Sequence, residues 1–415
     1  MRLKTRVSAY TLSCALIWSS GALAQQQKAE VLHWWTSAGE SAAVKVFADQ
    51  FTKAGGTWVD NAIAGGVNAR AAGINRMVGG NPPTMLQFNT GKQFDELVTN
   101  DLLRDVDKQA QAGKWRDIMP KSIVEASVRN GKFYAVPVNI HGQNWLFYNT
   151  KVFADAGLEP PKTFPELIAT GEKLKAKGII PIALGGQPTW EHNLFRAVLV
   201  GNGGADLFRK FYGSRDQQAV KSPKFKETVE LFGKLRGLVD PGSPGRNWND
   251  ATALVITNKA AMHFNGDWAK GEFIAAGQTA GKEYGCTLVG DGSSGKLVIG
   301  GDVFVFPASK DKAALAVQDK LIEVLLDPAS QLEFNKKKGS IPVRLDVDVS
   351  SMDACAERSH AVLRDPSNQV EAMELLSTPN FSGAIQDAVT QYWNNPNMSA
   401  DAFVEKVIGA MRDAS

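Results

Sequence analysis

Val31-Leu32-His33-Trp34-Trp35-Thr36-Ser37-Ala38-Gly39-Glu40 passes from a run of strand-forming side chains into a small, polar segment. Val31 to Trp35 read as a short buried strand. Beyond it, Val44, Phe47, Ala48 and Phe51 recur at helical spacing, and Gly55-Gly56 supply a stop. The alternation continues with a strand over 58–64, a helix over 68–78, a break at Pro82-Pro83 and a strand over 84–88. Strand-helix-strand-helix-strand in this order implies an α/β fold with an open, mainly parallel sheet and covering helices.

Further along, strand-like stretches at 133–138 and 144–148 flank the polar trio His141, Gly142, Gln143, which reads as a first crossing between lobes. Helical and strand-like segments continue through 179–184 and a Gly/Pro-rich loop at 240–246. After Gly300, Gly301 and Asp302 comes a buried strand over 303–306, then an amphipathic helix from 312 to about 326. No repeat of 20 to 50 residues is visible, which disfavours solenoids and propellers. A chain of 415 residues exceeds what one core usually serves and favours two lobes.

The start of the chain sets the compartment. Arg2, Lys4 and Arg6 precede an apolar run ending in Ala22-Leu23-Ala24, the pattern of a secretory signal peptide cleaved after Ala24. Ser8, Thr11, Ser13, Ser19, Ser20 and Gly21 interrupt that run and make it a poor bilayer span. Without those three basic residues the rest of the chain holds 43 Lys and Arg, the same as its 43 Asp and Glu. With no basic stripe, nucleic acid is excluded as a partner. Cys286 and Cys355 remain after cleavage and either pair or stay as two buried thiols.

No metal centre or nucleophilic triad is legible. His33, His141, His192, His263 and His360 have no metal-ligand spacing, and neither G-x-S-x-G nor a phosphate loop occurs. The reading therefore assigns no cofactor and no catalytic residue. What stands out is aromatic and amide residues at strand ends, where open α/β sheets bind ligands. Side chains alternate along a strand, so one of Trp34 and Trp35 faces the crevice; the alternative buries both in the core, the usual place for tryptophan. An indole face packs on the C–H face of a pyranose, and Glu40 can accept hydroxyl hydrogen bonds.

Trp34 to Glu40 also resembles the opening motif of periplasmic glucose-binding proteins of ABC transporters. Gly131-Lys132-Phe133-Tyr134-Ala135-Val136-Pro137 with the stretch 144–149 resembles the first hinge of the extracellular solute-binding family. Thr163-Phe164-Pro165-Glu166-Leu167 resembles its T-W-x-E-L helix start, 260–268 its late strand, and Lys338 to Arg344 its second crossing. The resemblance implies a bilobal fold, with lobes formed by 25–138 plus 298–342 and by 139–297 plus 343–415. It implies that Trp34, Trp35 and Glu40 contact sugar from the first lobe, that Trp268 forms the opposing wall, and that Asp302 and Lys338 bond hydroxyls. Gln87, Asn89 and Lys92 compete for a contact near the third strand, and Gln187 and Trp190 are candidates in the second lobe. The glucose-binding relatives also present a late histidine; here 369–379 has none, leaving Met373, Glu374 or Ser377 for that wall and the sugar open. The implied protein is a monomeric periplasmic binding component, not an enzyme, that carries a monosaccharide such as glucose or a close epimer to an inner-membrane permease. Rival readings are a disaccharide ligand, a non-sugar ligand such as a polyamine or metal ion, and a glycoside hydrolase using Glu40 and Asp302.

Overall fold

A computed structural model describes residues 27–290 and 296–413; the expected leader at 1–24 lies outside them. Strand β1 (Gln27–His33), helix α1 (Ala38–Lys53), strand β2 (Gly56–Ala62), helix α2 (Gly66–Val78) and strand β3 (Met85–Asn89) follow the order read from the sequence. β1 pairs in parallel with β2 and with β3. Two strands from later in the chain complete this first-lobe sheet: Asp302–Val305, antiparallel to β3, and then Ala135–Pro137. Asp302 pairs with Asn89 at the end of β3, so the chain enters from the opposite end and this strand alone runs against the others.

Both faces of the sheet are covered because side chains alternate along each strand. Val31 joins Phe47 and Phe51 of α1 in one apolar cluster, while Leu32 joins Ala69 and Met77 of α2 in another. α1 starts at a capping box: Ser37 Oγ accepts from the Glu40 N–H at 3.3 Å, and Glu40 Oε2 accepts from the Ser37 N–H at 3.4 Å. A cap of this kind contributes about 1 kcal/mol.

The second lobe is built on a four-stranded sheet in the order Tyr284–Thr287, Trp145–Asn149, Ala260–Asn265, Ile180–Ala183. The Thr163 to Leu167 stretch opens its helix Phe164–Ala176 with a second capping box. Between the lobes, His141–Gly142 pairs with Leu297–Gly300, which pairs in turn with Gln369–Glu371. Ile140 and Ile341 exchange backbone hydrogen bonds of 2.8 and 3.0 Å. These segments lie side by side as a hinge crossed more than once.

Cys286 and Cys355 are disulfide-bonded with Cα atoms 6.1 Å apart, which decides between the two alternatives left by the sequence. The bond ties the strand Tyr284–Thr287 to the helix Ala354–Leu363 across 69 residues of chain. A loop of this length restricts the unfolded chain by roughly 4 kcal/mol in the chain-entropy account. The Cys286→Ser/Cys355→Ser double variant should therefore lose about 2–4 kcal/mol of second-lobe stability in urea unfolding. An unchanged midpoint would show that the bond adds nothing to the packing around it.

Candidate functional site

The carboxyl ends of β1 and β3 point at the hinge, where a cleft of about 1380 Å³ separates the two sheets. Trp34, Trp35, Glu40, Asn89, Lys92, Gln187, Trp190, Trp268, Asp302 and Lys338 all line it. Gln87 does not. It is fully buried, and its Oε1 accepts from the Trp34 N–H at 3.0 Å. It stands two residues back from Asn89 at the cleft end of β3, where it fixes the chain just beyond β1 instead of reaching a ligand.

The adjacent indoles separate as strand alternation requires. Trp35, 1% exposed, packs edge-on against Phe304 at 5.6 Å and tilts over Phe334 at 5.2 Å, so it borders the cleft from within the core. Trp34 is partly exposed, with the Arg70 guanidinium 5.5 Å from its ring centroid. Arg70 comes from α2, whose residues read simply as a covering helix.

Lys338 is 2% exposed although it ends a lysine run; the helical turn leaves Lys337 exposed and brings Lys338 inward. Its Nζ donates to Glu40 Oε1 at 3.1 Å and lies 5.9 Å from the Trp35 ring and 6.0 Å from the Trp268 ring. The other Glu40 oxygen accepts from the Thr36 N–H at 3.2 Å as well as from Ser37. Glu40 thus caps α1 and anchors Lys338, whose ammonium has further N–H donors to offer.

Asp302 is the other fixed charge. Its Oδ2 accepts from Asn139 Nδ2 at 2.9 Å and from His141 Nε2 at 3.0 Å, and its Oδ1 accepts from Asn89 Nδ2 at 3.2 Å. A carboxylate has about four acceptor sites, so this leaves capacity toward the cleft. His141 Nδ1 donates in turn to Asp267, whose second oxygen accepts from the Gly142 N–H at 2.9 Å. Burial alone would pull the His141 pKa down, but the charge and hydrogen bond of Asp267, joined by Asp302, raise it above the ordinary 6.5. Burial would likewise push Asp302 up, but hydrogen bonding and charge from His141, with Lys338 and Asn139, hold it below the ordinary 3.8. His141 was visible in the sequence only as part of a polar crossing.

On the opposite wall, Arg196 Nη1 donates to Gln143 Oε1 at 3.0 Å and to Glu374 Oε1 at 3.3 Å. Met373, Glu374 and Ser377, the residues left for the wall to which the resemblance assigns a histidine, all line the cleft. Ser377 Oγ is committed to the Tyr212 carbonyl at 2.8 Å, leaving Glu374 as the charged group of the three. Lys92 Nζ donates to the Leu376 carbonyl at 3.0 Å, an exposed contact at the mouth. Among the described residues, no group of three or more His, Cys, Asp or Glu side chains could hold a metal ion.

Two α/β lobes, a multiply crossed hinge and a cleft of indoles and fixed polar groups define a two-lobed binding protein. Residues 34–332 match the family described as bacterial extracellular solute-binding protein, and the chain belongs to that family. It is 34% identical over 409 residues to a probable sugar-binding periplasmic protein of Brucella melitensis, covering 96% of each chain. A protein of the same description from Rhizobium meliloti is 34% identical over 405 residues, covering 96% of this chain and 97% of that one. Among solved structures, a chitin oligosaccharide binding protein superposes with a TM-score of 0.80 at 20% identity, covering 94% of this chain and 99% of that one. The family and these relatives are solute-binding proteins, not enzymes.

The His141 cluster gives a pH dependence of definite sign. A raised histidine contributes fully below pH 6.5 and loses its contribution as pH rises through its folded pKa; a lowered Asp302 contributes above pH 3.8 and loses it as pH falls through its own. The cluster therefore stabilises most between about pH 4 and 6.5. His141→Gln should flatten the decline of melting temperature on the alkaline side. A decline as steep as that of the parent protein would take His141 out of the linkage.

Proposed function

We propose that this chain is the periplasmic substrate-binding component of an ABC importer and that its cleft takes a hexose, glucose or a close epimer, at the hinge floor. The observation that carries this reading is the convergence of Trp34 and Trp268 on one interlobe cleft beside Lys338, Asp302 and Asn89. A pyranose has two apolar C–H faces and a rim of hydroxyls that both donate and accept. Indole faces match the former, and a carboxylate, an ammonium and an amide match the latter.

Support also comes from relatives named as sugar-binding periplasmic proteins and from a xylose/arabinose-binding protein of Haloferax volcanii, 25% identical over 405 residues. In this reading the lobes, 25–138 with 298–342 and 139–297 with 343–415, close on the sugar and convert occupancy into a shape that the inner-membrane permease recognises. The binding protein acts as a monomer and breaks no bond. Micromolar affinity corresponds to about −8.2 kcal/mol, within reach of two aromatic contacts and several charge-assisted hydrogen bonds after ordering costs.

A thermal-shift screen of monosaccharides should show preferential stabilisation by glucose or an epimer; indifference to every sugar would end this reading. In calorimetry, Trp268→Ala should weaken binding by about tenfold or more, roughly 1.4 kcal/mol, with a parental circular dichroism spectrum. Unchanged affinity would remove Trp268 from the site. Neither protein should release the phenol from an aryl glycoside.

A further inference from the structure

We infer that a pocket on the reverse face of the hinge, separate from the cleft, binds a small aliphatic carboxylate, with its charge met by Arg364 and His360. Neighbouring positions of an extended segment point to opposite faces. In the first crossing His141 accordingly lines the interlobe cleft, while Ile140 lines a second cavity of about 260 Å³ that shares no residue with the cleft. Ile140, its backbone partner Ile341 and Pro342 bring both crossings into the lining of this cavity. The remaining walls come from two sides of the molecule. Arg344 and Leu345 rest on the first lobe, where Arg344 Nη1 donates to the Leu326 carbonyl at 2.9 Å and the Leu345 N–H to the Ile118 carbonyl at 2.7 Å. His360, Leu363 and Arg364 come from the end of the helix Ala354–Leu363, which the disulfide ties to the second-lobe sheet. Leu363 packs against apolar clusters of both lobes.

The polar side chains that line this pocket are all basic. Arg344 is already balanced, since its Nε and Nη2 donate to Asp346 at 2.9 and 2.7 Å. Arg364 and His360 are different: among the described residues neither side chain has a hydrogen bond or ion pair, and no carboxylate lines the pocket with them. They stand one helical turn apart and therefore on one face. Capping the helix does not occupy Arg364, because the Val362 and Leu363 carbonyls accept from Gln369 Nε2 at 3.4 and 2.9 Å. Burial, with the charge of Arg364, holds the His360 pKa below the ordinary 6.5, so at neutral pH the ring offers an N–H and Arg364 the single full charge. That combination suits a monoanion, and the planar guanidinium suits a carboxylate. Everything else in the lining is apolar, and Leu345 stays 58% exposed, a surface that an aliphatic chain would cover. A cavity of about 260 Å³ has room for roughly nine groups the size of a water molecule, which matches a six-carbon carboxylate.

Calorimetry on the full chain with hexanoate, butanoate and hexan-1-ol tests the inference. Hexanoate should bind with a Kd of about 1 mM or tighter. Each buried methylene is worth about fourfold, so butanoate should bind about tenfold weaker or more. Hexan-1-ol, which keeps the chain and lacks the charge, should also be weaker by about tenfold or more. Arg364→Gln, at an exposed position, should lower hexanoate affinity about tenfold with an unchanged circular dichroism spectrum. Trp268→Ala, in the other cavity, should leave hexanoate affinity within about twofold. Absence of hexanoate binding to the parent protein, parental affinity in Arg364→Gln, or equal binding of butanoate and hexanoate would overturn the site. A loss in Trp268→Ala would also overturn it by placing the carboxylate in the cleft. The hexose reading is tested separately with glucose and stands or falls apart from these outcomes.

Discussion

His141 donates from one ring nitrogen to Asp267, which follows the second-lobe strand Ala260–Asn265, and from the other to Asp302, which begins the first-lobe strand Asp302–Val305. All three side chains are buried. Taking such charges out of water costs several kcal/mol per ion, and their mutual attraction and hydrogen bonds must offset it. Removing one partner would leave an uncompensated charge, so the arrangement tolerates little displacement. His141 itself lies in the crossing segment, and the two lobes meet through it.

The same atoms form the cleft floor. Asp302 is held by Asn139, His141 and Asn89, and Lys338 by Glu40, before any ligand arrives. Polar groups fixed in advance lose little freedom on binding, so more of the interaction energy appears as affinity. Contacts between the lobes at the mouth differ in kind. The Lys92 bond to Leu376 is exposed to water and easily exchanged.

The first-lobe elements were legible because burial on both faces of a sheet leaves runs of apolar residues and helical spacing leaves another period. Val31 and Leu32 pack into different clusters, as a period of two demands. Among the candidate residues, Gln87 shows where this reasoning stops. Gln87 and Asn89 are two positions apart and share a face of β3, and only the tertiary pairing puts Asn89 at the cleft end beside Asp302 and Gln87 further in, opposite Phe304. Lys338 is the converse case, since a run of three lysines looks solvated until the neighbouring helix and the opposing lobe enclose one of them.

The sequence by itself determined the α/β pattern, the absence of metal and nucleophile motifs, and a set of aromatic and polar residues at strand ends. These are local properties: spacing, propensity and side-chain chemistry act over a few residues. Only the tertiary structure decided that Cys286 meets Cys355, that Trp35 borders the cleft from within the core while Trp34 stands partly exposed in it, and that His141 lies between Asp267 and Asp302. Those partners lie far apart along the chain and are brought together by two sheets packing around one hinge. Distance and burial set the energy of each contact, and neither is defined until the chain has folded.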